Sequence, residues 1–246
     1  MPKLAILILT YNEEKNIADC IRSADFADEI VIVDSGSTDK TQEIAESLGA
    51  KIFTHPMENF AAQRNYALTV TDADWVFYLD ADERLTPEAA KEIMAIVNAD
   101  EPAAYAIKRI NYLFKRRQMH GAHKPDWPLR LYPRRAVKWS GAVHESAEVS
   151  VPKKRLQSSM HHYTYNDWDT YFAKANKYTS LAAKEMRERG KKASLIDITV
   201  HPVFAFFRAY ILKAGFLDGA FGFVFSVLHA QYVFNKYIKL RYKSVD

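Results

Sequence analysis

Three long apolar runs in the first eighty residues break abruptly into polar ones at their carboxyl ends. Leu4 to Leu9 reads L-A-I-L-I-L and passes into Thr10-Tyr11-Asn12-Glu13-Glu14. Residues 29 to 33, E-I-V-I-V, lead into Asp34-Ser35-Gly36-Ser37-Thr38-Asp39, and Trp75 to Leu79, W-V-F-Y-L, ends in Asp80-Ala81-Asp82-Glu83. Such runs are apolar throughout and do not alternate, which predicts strands buried on both faces. Between them, helices are predicted to about Ala24 (Ile17, Cys20 and Ile21 on one face), over Thr41 to Leu48 with Gly49 just past the end, and over Phe60 to Thr69. Lys51 to Thr54 is a short strand, and Thr86-Pro87-Glu88 is a strong helix start. Strand and helix in alternation define an α/β fold with a parallel sheet and right-handed crossovers. The polar ends then meet at the carboxyl edge of the strands, where open α/β sheets take their ligands.

The later pattern is less regular. A strand is predicted at 104–110, then a basic loop, Lys115-Arg116-Arg117, and a loop fixed by proline on both sides of Asp126-Trp127. Trp127, Arg130 and Tyr132 sit near a further strand, Lys138 to Val143 forms another, and Asp167 to Arg189 is a long helix. From His201 to Phe234 the chain is dense in phenylalanine, interrupted by Arg208, Lys213 and Asp218. The 17 uncharged residues between Asp218 and Lys236 contain Gly219, Gly222, His229 and Gln231, which is short and polar for a spanning helix. A hydrophobic helical pair lying in a membrane interface fits better, with Lys236, Lys239, Arg241 and Lys243 against anionic headgroups. A pair packed on the domain or against a second copy remains the plainer alternative. No linker, repeat or low-complexity tract is evident.

Composition sharpens this picture in two ways. The 246 residues include a single cysteine, so no intramolecular disulfide forms and a reducing compartment is expected, with no signal peptide ahead of the first strand. The net charge of +4 hides a division: residues 1–100 carry 8 Lys/Arg against 19 Asp/Glu, and residues 101–246 carry 26 against 11. An acidic half joined to a basic, aromatic half suggests a second surface facing something anionic, nucleic acid or lipid.

The candidate chemistry lies at the strand ends. Asp80 and Asp82, spaced i, i+2 where the chain leaves the pleat, either turn together toward Mg²⁺ or Mn²⁺ or form a solvated acidic turn. Asp34 either accepts from a base N–H or ribose hydroxyl or caps a helix. Arg64 is either a solvated helix charge or a group reaching a phosphate or base. In V-K-W-S-G-A-V-H-E, Glu145 is either an ordinary surface glutamate or a functional carboxylate, and His144 beside it is its partner or a plain loop residue. His161-His162 either completes a metal site, bonds a phosphate or is structural. Arg130 or Lys124 is expected to steady phosphates.

T-Y-N-E-E, V-D-S-G-S-T-D, Q-R-N-Y-A-L and Y-L-D-A-D-E occur in that order. Together they resemble the nucleotide-sugar half of family 2 glycosyltransferases over roughly residues 3–100. The resemblance implies a GT-A fold, a mostly parallel Rossmann-like sheet flanked by helices, with a C-terminal helical hydrophobic appendage. It implies that Thr10, Tyr11, Asn12 and Glu13 line the nucleotide pocket with Ser37, that Asp34 holds the base, and that Arg64 and Arg130 contact base or phosphates. Asp80, Ala81 and Asp82 match the D-x-D, and Glu145 matches the catalytic carboxylate. The metal ligands are then Asp80 and Asp82, with His162 as a third candidate. The domains expected are 1–165, catalytic (1–100 nucleotide-sugar half, 101–165 acceptor half), and 166–246, helical and membrane-associating. R-L-Y-P-R-R and V-H-E are similar to bacterial lipopolysaccharide core β-1,4-glucosyltransferases acting on an inner-core heptose. The expected reaction is inverting transfer of a hexose from a UDP-sugar to that lipid-linked acceptor, by a peripheral protein on the cytoplasmic face of the inner membrane. Polyprenyl phosphate is the rival acceptor, and a non-catalytic nucleotide-binding module the rival class. Nucleic-acid binding is not expected, for want of a stacking-plus-glycine motif; a homodimer is an open possibility.

Overall fold

The computed structural model describes residues 1–141, 145–165 and 167–242. His144, Lys243 and the end of the strand expected to run to Val143 lie outside them. The first elements are β1 (Leu4–Thr10), α1 (Ile17–Arg22), β2 (Glu29–Asp34), α2 (Thr41–Ser47) and β3 (Lys51–Thr54). They are followed by α3 (Phe60–Thr69), β4 (Trp75–Asp80), β5 (Glu83–Leu85) and α4 (Pro87–Ala99). Then come β6 (Ala104–Leu113), β7 (Arg116–Gln118), β8 (Leu129–Pro133), β9 (Val137–Ser140), β10 (Ser146–Val149) and β11 (Lys153–Tyr165). Three helices end the chain: α5 (Trp168–Glu188), α6 (Leu195–Phe207) and α7 (Gly219–Arg241).

The chain forms two compact units, Met1–Arg109 with Asp126–His162, and Ile110–Pro125 with Tyr163–Asp246. The first contains a mixed sheet in the order β3-β2-β1-β4-β8-β6-β11-β5, in keeping with the α/β fold read from the sequence. Strands β3, β2, β1 and β4 are parallel, and beyond β4 the described pairings are antiparallel. The parallel half is buried on both faces, as its unbroken apolar runs require. Leu4, Ile6, Ile8, Trp75, Phe77 and Leu79 pack on the side of α1 and α4. Ala5, Leu7, Val76 and Tyr78 face Ala61 and Ala67 of α3 and Trp139 of β9. Helix caps match the local sequence: Asn59 Oδ1 accepts from Ala62 N at 2.9 Å, and Thr86 Oγ1 from Ala89 N at 3.2 Å ahead of Pro87.

The parallel register aligns the three strand ends. Thr10 pairs with Asp34, and Leu9 with Asp80. A pair of hydrogen bonds then ties β9 to α3: Asn65 Nδ2 donates to Trp139 O at 2.8 Å, and Trp139 N to Asn65 Oδ1 at 2.9 Å. That clamp ties β9 to the helix that carries Arg64.

The second unit is helical, with α6 and α7 antiparallel. His201 stacks on Tyr237 with centroids 4.9 Å apart, and Tyr210 meets Phe223 at 5.6 Å. A turn of π-helix, Arg208–Leu212, and a 3-10 turn, Gly215–Asp218, join them. A Cβ on Gly222 would fall 1.8 Å from Gly215 O, so only glycine lets α7 close on this turn. Leu113, Tyr171 and Phe225 form the unit's small core with Phe114 and Tyr165 around it.

Candidate active site

Burial and hydrogen bonding divide the predicted residues into three groups. The first is organised around Asp34, which is fully buried. Its Oδ1 accepts from Thr10 Oγ1 at 2.9 Å and Ser37 Oγ at 2.5 Å. Its Oδ2 accepts from Gly36 N at 2.9 Å, Ser37 N at 2.7 Å and Gln42 Nε2 at 2.7 Å. Burial alone would raise the carboxyl's pKa, but the bonds from Ser37, Gln42 and Thr10 prevail and hold it below its ordinary value. Asp34 thus shapes the turn with both oxygens engaged, and the groups around it face outward. Asn12, at φ +55°, donates its N–H to Ser37 Oγ at 2.9 Å and accepts from Thr38 N at 2.8 Å. Glu13 N donates to Thr41 Oγ1 at 2.7 Å, and Tyr11 is 59% exposed.

The second group is a chain of ion pairs from Glu145 into the sheet. Arg64 Nε lies 3.2 Å from Glu145 Oε1, and Arg64 Nη2 lies 3.3 Å from Asp80 Oδ1. The guanidinium rests over the rings of Trp139 and Tyr78, 4.7 and 5.2 Å from their centroids, which desolvates it without removing its charge. Arg130 Nη2 is 2.6 Å from both Asp80 Oδ2 and Glu83 Oε1. Arg109 joins Glu83 at 3.1 Å to Asp126 at 2.7 Å. Burial would lift the Asp80 pKa, but Arg130 and Arg64 overcome it and hold that carboxyl well below the usual range. In Glu83, fully buried, burial wins with help from the Asp80 charge, and the pKa is raised despite Arg130 and Arg109. Arg130, expected to steady phosphates, is paired with Asp80 and Glu83. Glu145 keeps its second oxygen, Oε2, without a hydrogen-bond donor among the described residues.

The third group is Asp82 with His162, Oδ2 to Nε2 at 3.3 Å. Pairing of β11 with β5 sets His162 opposite Glu83 and His161 opposite Arg84, so one histidine of the tandem reaches Asp82. Ala81 is buried between the two aspartates in sequence, and Arg84 Nη1 holds its carbonyl at 2.8 Å. Among the described residues no group of three His, Cys, Asp or Glu side chains gathers as a metal site. Asp82 and His162 are the described residues that could hold a divalent cation, and the carboxylate is the one whose oxygen chemistry suits Mg²⁺ or Mn²⁺.

Sequence reasoning missed Glu83, Arg109 and Gln42 as parts of the site. Glu83 carried a signal, a carboxylate directly after D-A-D at a strand end, whereas Arg109 lies in a strand whose neighbours are 17 and 26 residues away. Lys124, proposed at the phosphates, belongs to the helical unit.

The mixed sheet gathers carboxylates and arginines at the carboxyl edge of its parallel strands, where α/β folds bind ligands, and residues 5–149 match the model described as Glycosyl transferase family 2. The chain belongs to that family and is a glycosyltransferase. It is 31% identical to the Rhizobium meliloti lipopolysaccharide core biosynthesis glycosyltransferase LpsC, over 95% of this chain and 91% of that protein. An uncharacterized glycosyltransferase of Rickettsia bellii is 33% identical over 99% of this chain and 88% of its own length. Among solved structures, Staphylococcus aureus TarS 1–349 in complex with UDP-GlcNAc superimposes with a TM-score of 0.51. It shares 16% identity, covering 99% of this chain and 94% of that one, and shows the GT-A fold.

Proposed function

We propose that this enzyme transfers a hexose from a UDP-sugar, with inversion, to an anionic lipid-linked acceptor such as the inner-core heptose of lipopolysaccharide. The observation that carries the reading is a buried arginine, Arg64, which joins Glu145 to Asp80 at the carboxyl edge of the parallel strands. The likeness to LpsC supports the acceptor class, and the complex of TarS with UDP-GlcNAc supports a UDP-linked donor. Thr10, Tyr11, Asn12, Glu13 and the turn built on Asp34 and Ser37 receive the nucleotide. Arg64 and Arg130 hold Asp80 ionised beside the diphosphate. Glu145, oriented through Oε1, takes the acceptor hydroxyl's proton on Oε2. The freed oxygen attacks the anomeric carbon on the face away from the diphosphate, so configuration inverts. A divalent cation would be held by Asp82 and His162 and would supply positive charge to stabilise the leaving group.

The test is sugar transfer to a delipidated and a lipid-linked acceptor, alongside thermal-shift measurements with UDP-, GDP- and dTDP-hexoses, with and without Mn²⁺. A UDP-hexose should raise the melting temperature most, and more with Mn²⁺. Glu145→Gln should lower transfer by about 100-fold or more while donor binding persists. Wild-type turnover in Glu145→Gln would remove the base from this scheme.

A further inference from the structure

The sequence set Lys236, Lys239, Arg241 and Lys243 against headgroups; of these, Lys239 and Arg241 have partners within the chain, and Lys243 lies outside the described residues. Lys239 Nζ bonds Asn176 O at 2.8 Å, Asn176 Oδ1 at 2.6 Å, Thr179 Oγ1 at 2.7 Å and Ser180 Oγ at 2.9 Å, so it is spent on α5. Arg241 Nη1 bonds Ala193 O at 2.9 Å. Lys236 lies over the Tyr237 ring at 4.7 Å.

A different cationic group stands at the turn between α6 and α7. Gly121 N donates to Lys213 O at 2.9 Å, and Asp218 accepts from the backbone of Met119 and His120 at 3.2 and 3.0 Å. These bonds seat the 119–125 loop on the turn and bring Lys124 to Arg208 and Lys213. Among the described residues none of the three has an acidic partner, because the nearby Asp218 is occupied by the loop and by His120 Nδ1 at 2.8 Å. Burial, then the charges of Arg208 and Lys124, pull the Lys213 pKa down, and His229 is lowered by burial and by Lys213 and Arg208. An uncompensated cluster of this kind invites an anion.

Beside it the helices bare their apolar side chains. Ile196, Val200, Val203, Phe207 and Ile211 recur at intervals of three and four, one helical stripe, with Val203 70% exposed. Leu212 and Leu217 at the turn are 62% and 61% exposed. Apolar patches of this extent on a soluble chain mark a contact surface, and basic groups at the edge of an apolar helix face select anionic bilayers.

We propose that the α6–α7 hairpin docks on an anionic phospholipid surface, with Lys124, Arg208 and Lys213 gripping lipid phosphates and the Ile196–Ile211 stripe lying among the acyl chains. This rests on the reading of a lipid-linked acceptor and assigns the residues that bring the enzyme to it. Purified protein is floated with vesicles of phosphatidylcholine alone and of phosphatidylcholine with phosphatidylglycerol. Wild type should float with the anionic vesicles, and Arg208→Gln with Lys213→Gln should weaken that binding roughly 30-fold. Val203→Glu should abolish it, with the thermal melt of each variant reporting that the fold survives. Equal binding to both vesicles, or unchanged binding by the double variant, overturns the proposal. So does a wild-type dimer in light scattering that Val203→Glu dissociates, with no flotation, since the stripe would then belong to a second copy. Donor hydrolysis by the wild-type protein without vesicles tests the enzymatic reading alone, so the two can fail separately.

Discussion

Arg130 is a counter-ion shared by two carboxylates, and its removal leaves Asp80 with Arg64 and Glu83 with Arg109 as their remaining partners. With Arg130 5% exposed and Glu83 fully buried, Arg130→Ala leaves an excess of interior negative charge, and urea unfolding should show a loss of about 3–5 kcal/mol. Asp34 yields a pH signature. Its folded pKa lies below the ordinary 3.8, so the stability it contributes is complete above that value and drains as pH falls through the folded one. Wild-type unfolding free energy should therefore fall steeply below about pH 4, and Asp34→Asn, less stable at neutral pH, should show a shallower slope there. Asp80 and Asp82 stood out in the sequence as carboxylates at the end of an apolar run, and Glu145 by its resemblance in placement to the family's catalytic carboxylate. Their partners did not. Arg64 is 16 residues from Asp80 and 81 from Glu145, and only the folded register of α3, β4 and β9 reveals that one guanidinium serves both.

Strands β1, β2 and β4 were legible in full, since their unbroken apolar runs have no other use than a doubly covered sheet. Strand β11 was not. Its inward residues Leu156 and Met160 are separated by polar and half-buried positions, and the histidines that follow look like loop chemistry until β5 pairs with them. That pairing places His162 at Asp82, so Asp82→Ala and His162→Ala should each reduce Mn²⁺-dependent stabilisation by UDP, read as the difference in melting temperature with and without the ion. EDTA should remove the same difference in wild type. The β6–β7 hairpin conceals a conformational cost: Phe114 and Lys115 both have positive φ, +50° and +61°, in a two-residue turn that favours Asn-Gly. Phe114 is held there by stacking on Trp168 at 4.1 Å. Lys115 has no such hold, and Lys115→Gly should stabilise the protein by about 0.5–1 kcal/mol in chemical denaturation.

The chain's first hundred residues are acidic and the rest basic, and the apolar helices α6 and α7 fall within the basic part. Its helices Leu195–Leu212 and Gly215–Arg241 are long and apolar enough to cross a bilayer, yet Arg208, Lys213 and Asp218 interrupt them. In cell fractionation the protein should sediment with membranes and be released by alkaline carbonate, as an interfacial helix is and a spanning one is not. The helical unit is also assembled from two stretches of chain, 110–125 and 163–246. A stop codon after residue 165 therefore does not excise it. The shortened product keeps Leu113 and Phe114 but loses Tyr171 and Phe225, the side chains that cover them, and it should precipitate where the full chain stays dispersed. Chimeras that exchange this unit between relatives need three splice points, a pair flanking the inserted hairpin and one ahead of the tail.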